Sequence, residues 1–83
     1  MAKYLLTYDL RKEGRDYKKL YDELAEFDAV RILESVWAFD RYKTTAEGLK
    51  NYFKQFIDAN DELFVAEFSD WASYNTDGQP SKL

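Results

Sequence analysis

Cysteine and histidine are absent from this 83-residue chain, and each absence removes a chemistry. No disulfide can staple the fold, no thiolate or imidazole can serve as nucleophile or base, and no zinc site of the Cys/His kind can form. Ser35 therefore has no histidine partner for acyl transfer. Glycine and proline are scarce, and Gly14, Gly48 and Gly78 stand far apart, so there is no phosphate-cradling glycine loop. The opening Met1-Ala2-Lys3-Tyr4 lacks the apolar core of a signal peptide, and no run approaches membrane-spanning length. A bacterial or phage cytoplasm fits best. Were the chain to catalyse anything, the remaining means are carboxylates with a hard cation, Mg²⁺ or Mn²⁺.

Aromatics, by contrast, are abundant at 18% of residues, a load that compensates for small size. A chain this short buries only roughly 60% of its unfolded surface, and large rings bury much area per residue. Oligomerisation is the other available help. The formal net charge is −4, which argues against non-specific nucleic-acid binding. The charge is unevenly spread, however. Arg11, Lys12, Arg15, Lys18 and Lys19 cluster behind Asp9, whereas the stretch from Asp58 to Asp77 has no basic residue.

The pattern predicts a strand over Lys3–Asp9, then a helix with Asp16 as N-cap and Tyr17, Leu20, Tyr21, Leu24 and Phe27 on one face. Ala29–Asp40 is long for one strand and reads as two short strands reversing near Glu34. Thr44-Thr45-Ala46-Glu47 reads as a capping box that opens a second helix, with Leu49, Tyr52, Phe53, Phe56 and Ile57 as its stripe and Asn60 as its stop. Glu62–Phe68 is the last strand. The order β-α-β-β-α-β is the ferredoxin-like α+β arrangement, two helices on one face of an antiparallel sheet. Residues 1–74 form the domain and 75–83 a polar tail, loosely held beyond about Tyr74.

Two consequences follow for function. With the first and third strands as a parallel central pair, their ends would bring Asp9, Arg11 and Lys12 near Asp40, Arg41 and Lys43. Both faces of the sheet are apolar, yet two helices cover only one, so a second copy, stacked bases or the C-terminal tail should cover the other. Asp9 at the tip of a buried strand is either a turn residue bonding local backbone or a metal ligand beside phosphate. As a ligand it needs help from Asp40 or from its own symmetry mate. Tyr4, Tyr8, Trp37 and Phe39 invite comparison with RNA-recognition motifs. The basic-glycine-aromatic signature of those motifs is missing from Glu34-Ser35-Val36-Trp37-Ala38-Phe39-Asp40, which favours packing as their role.

An apolar strand ending Tyr8-Asp9-Leu10, the Ser35-Val36-Trp37 strand and Asn60-Asp61-Glu62-Leu63-Phe64-Val65 resemble the small CRISPR-associated Cas-two (Cas2) superfamily, which includes the virulence-associated protein D ribonucleases. The strings Tyr4–Leu10, Asp16–Tyr21 and Glu34–Trp37 are similar to its uncharacterised SinR-like branch. The resemblance implies a ferredoxin-like homodimer with facing sheets, with Tyr8, Trp37, Phe39, Phe64 and Phe68 at the interface. It implies Asp9 as the catalytic, metal-binding aspartate at the two-fold. Ser35 matches the serine of a Ser-Val-Phe motif, with Trp37 in place of phenylalanine. Members have been assigned RNA or DNA cleavage, or a structural role.

Three functions are consistent with these features. The first is a homodimeric Mg²⁺- or Mn²⁺-dependent endoribonuclease, with Arg11, Lys12 and Arg15 gripping the nucleic-acid backbone. The second is a non-catalytic acidic dimer, in phage defence or counter-defence, that binds another protein through residues such as Asp22, Glu23, Glu26, Glu62 and Glu67. The third is a monomeric single-strand binder that needs exposed central-strand aromatics.

Overall fold

The computed structural model describes residues 1–11 and 17–82. Its elements are β1 (Ala2–Asp9), α1 (Lys18–Glu26), β2 (Val30–Leu33), β3 (Val36–Arg41), α2 (Ala46–Phe53) and β4 (Glu62–Phe68). Single 3₁₀ turns follow α2 at Lys54–Phe56 and close the chain at Pro80–Lys82. The four strands form one sheet in the order β2-β3-β1-β4, and every neighbouring pair is antiparallel. The ferredoxin-like α+β arrangement is thus present.

The strand period places each side chain. Tyr4 lies opposite Phe39, Leu6 opposite Trp37 and Val65, and Tyr8 opposite Leu63. This face packs against the helices, where Tyr4, Leu6, Leu20, Leu24, Phe39, Leu49 and Phe53 form the buried core. Phe39 is wholly buried, meets Phe27 edge-on at 5.2 Å and lies 6.0 Å from Phe53. Burying one such ring contributes about 1.5–3 kcal/mol. Single-strand binding by exposed central-strand aromatics is therefore excluded for Tyr4 and Phe39, whose parity turns them beneath the helices.

Local chemistry sets the element ends. α1 stops where Asp28 adopts a left-handed φ of 55° and donates its amide to Ala25 O at 3.0 Å. The expected Asp16 cap lies outside the described residues, and Tyr17 occupies the N-cap position. The cap of α2 is Thr45 rather than Thr44: its Oγ1 accepts from Gly48 N at 3.0 Å. Glu47 is then one position short of closing a reciprocal box. α2 also ends earlier than Asn60, because the chain tightens into the 3₁₀ turn and Ile57 is already extended. The reversal between β2 and β3 falls at Glu34-Ser35, with a bulge between Arg31 and Leu33.

One expectation fails outright. β1 and β3 run antiparallel, with Lys3 opposite Asp40. A helix crossover restores the chain direction and the hairpin then reverses it, so β3 must oppose β1. Asp9 and Asp40 consequently sit at opposite ends of the sheet.

The second face carries Leu5, Thr7, Val36, Ala38, Phe64 and Phe68. Part of it is covered by the chain itself. Residues 70–80 cross over β2 and β3, leaving an apolar cavity of about 250 Å³ against Leu5, Val36, Ala38 and Phe68. Asp77 N donates to Ile32 O at 2.9 Å, Pro80 is buried, and Ala38 is 1% exposed. A β-carbon on Gly78 would lie 2.4 Å from Arg31 O, so the segment approaches β2 as closely as only glycine permits. Beyond Tyr74 most residues stay exposed, and the chain is held to β2 at Asp77, Gly78 and Pro80.

Candidate functional site

At the exit of β1, Asp9 and Glu62 are direct cross-strand partners. Arg11 turns back between them: its Nη2 lies 3.0 Å from Asp9 Oδ2 and 2.6 Å from Glu62 Oε1. The hydrogen bond to Asp9, followed by the charge of Glu62, pushes the Arg11 guanidinium further above its ordinary value. All three side chains are more than half exposed, so solvent screens both ion pairs.

What fixes Arg11 in place is its backbone. Arg11 N donates to Asp61 Oδ1 at 2.7 Å, while Asp61 Oδ2 accepts from Tyr17 OH and from Asp58 N, each at 2.8 Å. One carboxylate thus ties the end of β1, the start of α1 and the turn before β4. On the sheet side of this rim, Thr7, Tyr8, Asp9, Glu62, Leu63 and Phe64 line a shallow depression of about 370 Å³. Asp9 and Glu62 are the two carboxylates in its lining, and Arg11 pairs with both. Among the described residues no group of three or more His, Cys, Asp or Glu is arranged to hold a metal ion. The pair alone, with Arg11 already on one oxygen of each carboxylate, is a poor fit for a divalent cation.

Behind the rim lies a polar network that fixes the β2–β3 turn. Tyr8 OH accepts from Trp37 Nε1 at 3.1 Å, Arg31 stacks 5.1 Å from the Trp37 ring, and Arg31 Nη2 donates to Glu34 O at 2.6 Å. Ser35 O accepts from Tyr8 N at 3.3 Å, so Ser35 stands beside Asp9 at a second depression that also contains Tyr21.

The opposite end of the sheet is separate. Lys3 Nζ pairs with Asp40 Oδ1 at 3.1 Å, and the Arg41 guanidinium lies 3.7 Å from the Phe27 ring centre. Neither Asp40, Arg41 nor Lys43 approaches Asp9, because β3 runs the other way. Lys12 and Arg15, expected to grip a nucleic-acid backbone, lie outside the described residues.

Of the five residues expected at a dimer interface, Phe39 is sealed in the core, and Tyr8 and Trp37 face the helix layer. Phe64 and Phe68 are on the open face, and Phe64 is 61% exposed. Sequence reasoning did not single out Asp61 or Arg31. The signal for Asp61 was an aspartate directly before a strand, a position that caps neighbouring amides.

The model of CRISPR associated protein Cas2 matches residues 1–76. The chain belongs to the Cas2 family. No solved structure gives a significant match to it. Within this Cas2-family chain, the matched region takes in all four strands, both helices and most of the segment that crosses the open face. No helix among the described residues is long and apolar enough to cross a membrane.

Proposed function

We propose that this Cas2-family protein is a non-catalytic interaction module: a homodimer that binds another protein through its acidic surface, in phage defence or counter-defence. Within the family we assign it to the SinR-like branch, a reading supported by the likeness of the strings Tyr4–Leu10 and Glu34–Trp37. The observation that carries this reading is the Asp9–Arg11–Glu62 rim, where the carboxylate a nuclease would need is paired with a tethered guanidinium. The dimer rests on the strip of open face beside the crossing segment, where exposed Phe64 neighbours Thr7.

The test is a cleavage assay on single-stranded RNA and double-stranded DNA, with Mg²⁺ or Mn²⁺ and with chelator, run beside identically purified Asp9→Ala. The expected result is the same background in both proteins and a monodisperse dimer by light scattering. Metal-dependent cleavage that disappears in Asp9→Ala would replace this function with the nuclease. One geometric fact favours that second reading. Since Asp9 and Glu62 are direct neighbours, two chains meeting at this rim would assemble four carboxylates around a Mg²⁺ or Mn²⁺ ion. Arg11, Lys12 and Arg15 would then hold the substrate backbone.

A further inference from the structure

The segment that crosses the open face does not fill the space beneath it. The cavity of about 250 Å³ has Leu5, Val36, Ala38 and Phe68 as its floor, with Trp71 and Pro80 contributed by the segment above. One end of that segment cannot settle closer to the sheet. Gly78 already stands as near Arg31 O as a residue without a β-carbon allows, and Asp77 N is bonded to Ile32 O. Asn75, just before them, takes a left-handed φ of 54° that turns the chain. Backbone contacts thus hold the space open, and its apolar walls lack the neighbours that a filled interior supplies.

Size and polarity restrict what fits there. An apolar cavity of about 150 Å³ holds benzene, so by proportion this one takes an apolar body of about ten non-hydrogen atoms. Water is a poor filling, because each buried water needs several polar partners and these walls are chiefly apolar. The polar groups of the lining all lie on the crossing segment. Asp70 is the one charged residue among those lining the cavity, and among the described residues no ion pair engages it. Thr76 Oγ1 donates to Gly78 O at 2.7 Å, so its hydroxyl has lone pairs to offer rather than a proton. A carboxylate and an acceptor hydroxyl favour a cationic donor and oppose a carboxylate or phosphate.

We propose that this cavity binds a small amine with an aromatic body, the ring between the crossing segment and the sheet and the ammonium group at Asp70. The apolar floor would supply most of the affinity, and Asp70 would supply orientation and the choice of cation over anion. Neither Thr7 nor Phe64 lines the cavity, so the site is separate from the strip assigned to the dimer and goes beyond the protein-binding function.

The experiment titrates the whole protein with phenethylamine, phenylethanol and phenylpropionate, which share a ring and differ in charge. Binding is followed through the amide resonances of the protein and of two variants, Asp70→Asn and Ala38→Leu. The expected result is saturable binding of the amine, with shifts concentrated at residues 36–38 and 68–78. The alcohol should bind about two- to fivefold more weakly, as loss of one exposed ion pair dictates, and the carboxylate more weakly still. Asp70→Asn should bring the amine down to the level of the alcohol. Ala38→Leu puts a larger side chain into the floor and should abolish binding of all three. Should that variant not fold, Asp70→Asn, at an exposed position, still decides the matter. Equal binding of amine and carboxylate, an amine affinity unchanged in Asp70→Asn, or binding that survives in folded Ala38→Leu would each overturn the proposal. So would shifts centred on the Asp9–Glu62 rim or spread over the whole surface, or no saturable binding at all.

Discussion

Asp61 illustrates how far a single side chain can matter without a catalytic role. Its carboxylate accepts three hydrogen bonds from three parts of the chain, so Asp61→Ala strands three donors at once. Unfolding free energy should fall by about 2 kcal/mol, read as a lower urea midpoint with unchanged slope. Arg11→Ala should move the same midpoint far less than Asp61→Ala does, because the ion pairs it removes are exposed. Asp9 was legible as a strand-end carboxylate beside cations. Its true neighbours were not, since Glu62 lies 53 residues away and only strand register brings it opposite.

Element by element, the sequence was most informative where periodicity and turn chemistry agree. β4 occupies the predicted span, and the hairpin reverses at the predicted place even without a turn glycine. The start of α2 shows the limit of motif reading: of two adjacent threonines, the backbone selects Thr45, whose extended φ of −131° aims its hydroxyl at Gly48 N. Thr45→Ala should therefore cost about 1 kcal/mol and Thr44→Ala much less, a comparison thermal melting can make. The misplaced convergence of Asp9 with Asp40 came from strand direction, which the β-α-β-β order itself dictates once the crossover and the hairpin reversal are followed in turn. The hold of the tail on β2 was illegible for another reason. Ser73, Asn75, Thr76, Asp77 and Gly78 look like a solvated terminus, and what holds them is a close backbone approach that needs Gly78 and a buried Pro80.

For the molecule as a whole, the tyrosines make stability depend on alkaline pH. Burial is the main cause that raises the Tyr4 and Tyr21 phenols above their ordinary value of 10.0, and a hydrogen bond donated to Glu23 does so at Tyr52. A raised phenol favours the protonated form in the folded state, so its contribution is complete below about pH 10 and is lost as pH rises through the folded values. The melting temperature should fall above that range as phenolate absorbance grows, and Tyr52→Phe should lessen the fall. Strand order has a further effect, on how the chain is made. β1 leaves the ribosome first and sits at the centre of the sheet, but both its neighbours are encoded later, the first beginning at Val36 and the second at Glu62. Until they emerge, Tyr4, Leu6 and Tyr8 have no strand to lie against. The nascent chain must therefore carry its central strand unpaired until β3 emerges, and folding waits on contacts distant in sequence.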